Sequence, residues 1–176
     1  MRAPTMSPDY LAQQTALHRN PDYGVASLGF APIVKQVIDH YKVSSLADYG
    51  AGKRNLLKGL RDLGANGFDY FPYDPVFPEY GEPRAADLVC CIDVLEHIEE
   101  PFLDRVLDEL RSITRTRGFY SIHCEPAVKH LPDGRNAHLI QKPSSWWLPR
   151  LCQRFEVTHL ESSPGGFWLL VAPRAQ

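Results

Sequence analysis

Nothing in this 176-residue sequence approaches the roughly 18 uninterrupted apolar residues that a membrane-spanning helix needs. The N-terminal residues MRAPTMSPDYLAQQ also lack the apolar core of a secretory leader. Neither secretion nor membrane insertion is therefore expected. Cysteine is scarce: Cys90, Cys91, Cys124 and Cys152 form no CxxC pair, which argues against a zinc knuckle and against a disulfide framework. A reducing cytoplasm is the expected setting. No single sign of charge dominates either. The net charge is −2, so the chain lacks the overall basic field on which non-specific nucleic-acid binding rests. There is no internal repeat and no low-complexity segment.

What is present is an ordinary globular composition, 44% hydrophobic and 23% charged, on a chain long enough for one sizeable core. From Ser45 onward, short apolar runs alternate with helical periodicity, the sequence sign of a sheet with crossover helices. Strands are expected at Ser45–Tyr49, Phe68–Tyr73, Asp87–Ile92 and Phe119–Cys124. Glu156–Ser162 and Gly166–Ala172 read as a closing hairpin. Helices are expected over Phe30–Tyr41, after Gly52 with Leu56, Leu57, Leu60 and Leu63 inward, from about Pro101, and over Pro143–Phe155 with Pro149 kinking or shortening the last. The all-apolar character of the third strand predicts cover on both faces. Residues 1–29 read as a Pro- and polar-rich arm, and 30–176 as the folded domain.

Three segments carry chemistry. Asp48-Tyr49-Gly50-Ala51-Gly52 follows a strand and opens a helix, so glycines let a ligand approach the main chain where N–H groups gather. The acid stands before the glycines, where it suits an ammonium better than a phosphate. The third glycine of a dinucleotide loop is replaced by Arg54. A tight turn without a ligand is the competing reading. Asp74-Pro75 ends the second strand, and Asp69 is the alternative acid; either could be no more than a turn former. Asp93-Val94-Leu95-Glu96-His97-Ile98 leaves the central strand directly. His97 there has a near-neutral ordinary pKa suited to proton transfer, or Glu96-His97 only caps the next turn.

Together these segments resemble class I S-adenosylmethionine-dependent methyltransferases over roughly residues 30–173. Asp48, Gly50 and Gly52 match that family's first motif, and Asp93–Ile98 its segment after the fourth strand. The resemblance implies a Rossmann-like α/β three-layer sandwich, with a mostly parallel sheet and an antiparallel last strand. Only twelve residues separate Asp74 from Asp87, too few for the usual helix and strand, so six strands are expected rather than seven. It further implies S-adenosyl-L-methionine as cofactor, held by Asp48, Tyr49, Gly50, Gly52, Asp74, Pro75, Asp93 and Val94, with Asp74 on the ribose hydroxyls. Val76 and Phe77 could cover the adenine in place of the missing unit.

On the acceptor side, His97, His123 and His138 are the expected catalytic residues, with Glu125 a further candidate beside them. Asp93, Glu96 and His97 with His123 or His138 also resemble the metal site of small-RNA 2′-O-methyltransferases. The first ligand is Asp rather than Glu, and hydrogen-bonded rim histidines without a metal are the favoured reading. The acceptor is expected to be a small-molecule or nucleotide-like substrate with a hydroxyl or amine. An RNA or DNA methyltransferase, with Lys129, Arg135, Lys142 and Arg150 as a basic groove, is the alternative. A non-catalytic cofactor-binding partner subunit is a third reading. The arm, with His18, Asn20, Tyr23 and Gly24, suits either a lid or a packing strap. Trp146 and Trp147 suit the core or an interface better than a stacking platform. Oligomeric state is not readable.

Overall fold

A computed structural model describes residues 3–174. Six strands form one sheet in the order β2-β1-β3-β4-β6-β5. They are β1 (Ser45–Tyr49), β2 (Asp69–Tyr73), β3 (Ala86–Ile92), β4 (Thr114–His123), β5 (Phe155–Ser163) and β6 (Gly166–Pro173). The pairs β1–β2, β1–β3 and β3–β4 are parallel, whereas β6 runs antiparallel to both β4 and β5. The short Ser163–Gly166 connection forces the last two strands into a hairpin, because only a crossover could make them parallel.

Helices α2 (Ser27–Tyr41) and α3 (Asn55–Asp62) cover one face, α4 (Leu103–Ile113) and α5 (Ser144–Cys152) the other. Alternation along β3 serves both layers: Leu88, Cys90 and Ile92 join α2 and α3, while Val89 and Cys91 join α4 and α5. This is the three-layer sandwich expected, with its cysteines buried in β3 as apolar groups. Leu56 and Leu60 of α3 point inward, but Leu63 lies beyond the helix end and is exposed. Helix α5 runs on through Pro149 to Cys152. Trp147 is fully buried and donates to the Lys142 carbonyl, whereas Trp146 is half-buried against it, so neither forms a stacking platform.

Between β2 and β3 there is a single 3₁₀ turn, Pro78–Tyr80, in place of a helix and strand. That leaves β2 at the sheet edge, where Pro72 removes no needed ladder bond. The guanidinium of Arg84 covers the same edge, 3.8 Å from the centre of the Phe71 ring. Phe77 stacks on Tyr80, whose hydroxyl donates to the Gly52 carbonyl at 2.9 Å. The shortened connection thus folds back onto the glycine turn.

The arm is more ordered than its composition suggests. Ser7 caps α1 (Pro8–His18) by accepting from the Tyr10 amide, with Pro8 at the first helical position. Ser7 also donates twice to Glu99, which docks the helix start on the domain. Helix α2 begins at Ser27, so the last part of the expected arm belongs to the domain. No helix among the described residues is long and apolar enough to cross a membrane.

Candidate active site

A cavity of about 380 Å³ opens at the carboxyl ends of β1, β2, β3 and β4. Ligands of open α/β sheets collect at that end because the strand-to-helix turns point loose backbone groups there. The cofactor candidates Asp48, Tyr49, Gly50 and Gly52 line one part of it, with Asp74 and Pro75 alongside. Asp93 and Val94 lie next to them, and His97, His123 and His138 form the far wall. Residues placed together by fold alone thus meet in one space. Asp69, by contrast, opens β2 beside Ser45 at the opposite end of the sheet. Of the adenine candidates, Val76 lines the cavity and Phe77 does not.

The glycine turn is a cradle in which side chains have no room. Gly50 has φ +80°, and a Cβ there would stand 2.3 Å from Val94 Cγ2. Its amide and that of Ala51 both donate to the Tyr73 carbonyl, tying the turn to β2. Arg54, where the family pattern has glycine, keeps the left-handed backbone (φ 59°) that a glycine would adopt freely. Its guanidinium lies over the Tyr80 ring at 4.4 Å.

Asp48 is 4% exposed and accepts from the Tyr70 hydroxyl at 2.6 Å. Burial pushes its pKa up to about 7; the Tyr70 bond opposes this and the charge of Asp74 adds to it. Asp74 accepts from the amides of Gly52 and Val76, both at 2.9 Å. Burial raises its pKa too, against those bonds and the neighbouring His18. A cavity bordered by two carboxylates, each disfavoured as an anion by burial, is electrostatically completed by a cation.

On the far wall, Asp93 holds a positive φ of 51° and accepts from the Ser121 hydroxyl at 2.5 Å. His97 is half-buried; burial first, and His138 second, lower its pKa to about 3. His138 is also shifted down, chiefly by burial. His123 is half-exposed where β4 ends. Three groups stand in surroundings that the sequence does not show. Glu96 is fully buried outside the cavity lining, with one oxygen accepting from the His123 amide at 2.8 Å. Among the described residues no group of three or more His, Cys, Asp or Glu side chains is placed to hold a metal ion. Glu125 points to a separate shallow depression and offers the cavity wall only its carbonyl. Burial, which lowers the His97 pKa to about 3, leaves that ring neutral at neutral pH with one nitrogen free to accept.

Tyr70, Ser121 and the inner face of α1 were not foreseen. Tyr10, Gln14 and His18 recur every four residues, which puts them on one helical face, and with Met6 and Tyr23 they line the cavity. The four-residue spacing and the Ser7-Pro8 start were the available signal. The arm is clasped to the rim loop by Gln13, which exchanges bonds with Asp133, and by Lys129, which donates to the Asp22 carbonyl.

The sheet, with its helices on both faces and its strand-end turn, is of the Rossmann-like α/β type. Residues 28–163 match the family described as a methyltransferase domain, so the chain belongs to that family and is an S-adenosylmethionine-dependent methyltransferase. No curated protein matches the chain. Among solved structures, it is similar to the 1,6-didemethyltoxoflavin-N1-methyltransferase of Burkholderia thailandensis, crystallised with 1,6-didemethyltoxoflavin and S-adenosylhomocysteine. That likeness has 16% identity and a TM-score of 0.64, over 99% of this chain and 94% of that one. It is also similar to mitomycin 7-O-methyltransferase (15% identity, TM-score 0.68, 93% of this chain and 60% of that one). The pyocyanin biosynthetic protein PhzM gives 16% identity and a TM-score of 0.62, over 92% of this chain and 62% of that one. The chain thus spans about three-fifths of the two longer proteins.

The residues fit S-adenosylmethionine: a turn with no room for a Cβ at Gly50, a buried acid suited to its ammonium and a second acid at the β2 end suited to its ribose. Because Asp48 must be ionised to meet a cation, affinity for S-adenosylhomocysteine is expected to fall on acidification from pH 8 to 6. His97, with its pKa lowered to about 3, stays neutral over that range, and burial shifts His18 and His138 downward as well, so Asp48 dominates the profile. Well below pH 7 the slope approaches about tenfold per pH unit. Calorimetry across that range checks this, and a flat profile would contradict the Asp48 assignment.

Proposed function

We propose that this protein methylates an oxygen or nitrogen of a small organic molecule, with Asp48 receiving the ammonium and Asp74 the ribose of the cofactor. The observation that carries this reading is the single cavity, which joins the acidic cradle to a wall of three histidines under the α1 lid. The named methyltransferases of similar fold act on small ring systems, and a cavity of this size suits such an acceptor. When bound, S-adenosylmethionine supplies an activated methyl group, so the chain itself must align the acceptor, exclude water and receive a proton.

Alignment falls to His97 and His138, whose rings are anchored to main-chain carbonyls. Exclusion of water falls to the arm, with Tyr10 and Gln14 covering the cavity beside His97. The acceptor's proton goes to His123, whose half-exposed position at the cavity edge lets it pass on to solvent. His123→Ala should lower kcat by roughly 10²-fold, a usual contribution of a positioned base, with affinity for S-adenosylhomocysteine unchanged. An equal loss of cofactor binding would instead mark His123 as structural.

Three of the four cations expected to form a nucleic-acid groove are engaged within the chain. Lys129 binds the Asp22 carbonyl, Arg135 pairs with Asp133, and Arg150 lies over Trp146. Calorimetry with S-adenosylmethionine and S-adenosylhomocysteine tests the proposal. Micromolar binding of both supports it, and no binding of either overturns it.

A further inference from the structure

Two main-chain carbonyls settle the protonation of the cavity's far wall. His97 Nδ1 lies 2.7 Å from the Ala137 carbonyl oxygen, and His138 Nδ1 lies 2.6 Å from that of Glu125. A carbonyl can only accept, so each Nδ1 carries the proton and each Nε2 of the neutral ring is left as a lone-pair acceptor. Among the described residues neither Nε2 has a hydrogen-bond partner. Neither belongs to the buried unpartnered atoms, which are His18 Nδ1, Glu96 Oε2 and Arg117 Nε. Both rings line the cavity, their centres 4.8 Å apart and their planes at 82°. Two fixed acceptors therefore open into the same space.

The two tyrosine hydroxyls of the arm offer them no donor. The Tyr23 hydroxyl donates to Gln14 Oε1 at 3.0 Å, and Gln14 Nε2 donates to the Tyr10 hydroxyl at 2.6 Å. The Tyr10 hydroxyl in turn donates to the His97 carbonyl. This chain consumes both tyrosine hydroxyl protons and one of the two N–H groups of Gln14. The nearby Asp93 carboxylate is again an acceptor.

We infer that His97 and His138 are positioning residues that select an uncharged acceptor by its O–H or N–H donors, such as a phenol or a ring N–H, and discriminate against anions and against the methylated product. An anion would face two lone pairs, and a methylated oxygen or nitrogen no longer has the proton they require. An unpaired buried acceptor costs about as much as the bond is worth, so the discrimination is built from loss as well as gain. This inference rests on the proposed small-molecule reading for the identity of the occupant, but not for the state of the two rings.

Nitrogen-15 NMR of the histidine-labelled full chain tests it, with phenol and anisole as probes. Both rings are expected in the Nδ1–H form, and phenol, with its one O–H, should shift at least one of the two Nε2 signals whereas anisole should shift neither. Phenol should bind roughly tenfold tighter than anisole, the upper range for one neutral hydrogen bond. The double variant His97→Phe/His138→Phe should reduce that preference to near parity. An Nε2–H form on either ring, or equal affinity of the two probes for the unmodified chain, would overturn the inference. Calorimetry with S-adenosylhomocysteine on the same sample separates the two ideas. Its failure to bind removes the transferase reading, while the ring states and the phenol preference stand or fall by themselves.

Discussion

Asp48→Asn is expected to weaken S-adenosylhomocysteine binding by about 10²-fold or more while leaving the free protein at least as stable as before. Truncating one member of a buried charge pair typically costs 2–5 kcal/mol, or about 30- to several-thousand-fold in affinity. The free protein should not suffer, because burial already works against the ionised carboxyl and has moved its pKa up to about 7. The sign follows from proton linkage. Between pH 4 and 7 the folded chain holds a proton on Asp48 that the unfolded chain has released, so this group contributes less stability as pH rises through that window. At pH 8 the carboxylate is a cost in the empty fold, and asparagine removes it. Asparagine can also still accept from Tyr70. Calorimetry and denaturant unfolding at pH 8 measure both halves. Retained affinity would refute the ammonium assignment, and a large loss of stability would make Asp48 a structural residue.

Gly50→Ala should be nearly as damaging, by steric means. The left-handed backbone costs an L-residue about 1–2 kcal/mol, and the new methyl would collide with Val94 Cγ2, 2.3 Å away. The turn cannot yield easily, since its amides are tied to the Tyr73 carbonyl. A destabilisation of about 2–4 kcal/mol and a large loss of cofactor affinity are expected. Adding Val94→Ala should recover the collision component but leave the backbone component. Urea unfolding of the single and double variants would show this, and no recovery in the double variant would refute the collision account.

Much of the architecture was legible because it depends on local rules. The apolar run Asp87–Ile92 could be covered only from both sides, and the structure divides it between two helical layers. The twelve-residue gap after Asp74 left no room for a helix and a strand, and the sheet has six strands. Strand β4 was underestimated at its start because Thr114–Arg117 is polar, yet parallel pairing with β3 carries it as strand from Thr114. The arm reads as a lid or a strap, but its helix does not show in the sequence because the helical face is weakly apolar; its order comes from contacts with Glu99 and Asp133, which are remote in sequence.

The same division runs through the site. Side-chain type and spacing determined which residues meet at the strand ends: the acid and glycines of the first turn, Asp74, Asp93 and the histidines. Asp48, Asp74, Asp93 and His123 stand at or just past strand ends that lie along one edge, while the turn after β3 brings His97 there and the loop after β4 brings His138. Tertiary structure decided what those residues are. Glu96 and His97 are neighbours in sequence, but one is sealed beneath the β4 end and the other faces the cavity. The tautomers of His97 and His138 are fixed by the carbonyls of Ala137 and Glu125, and the charge of Asp48 by its burial and Tyr70. Hydrogen-bond direction and desolvation depend on distances between segments far apart in the chain, and those distances exist only once the chain has folded.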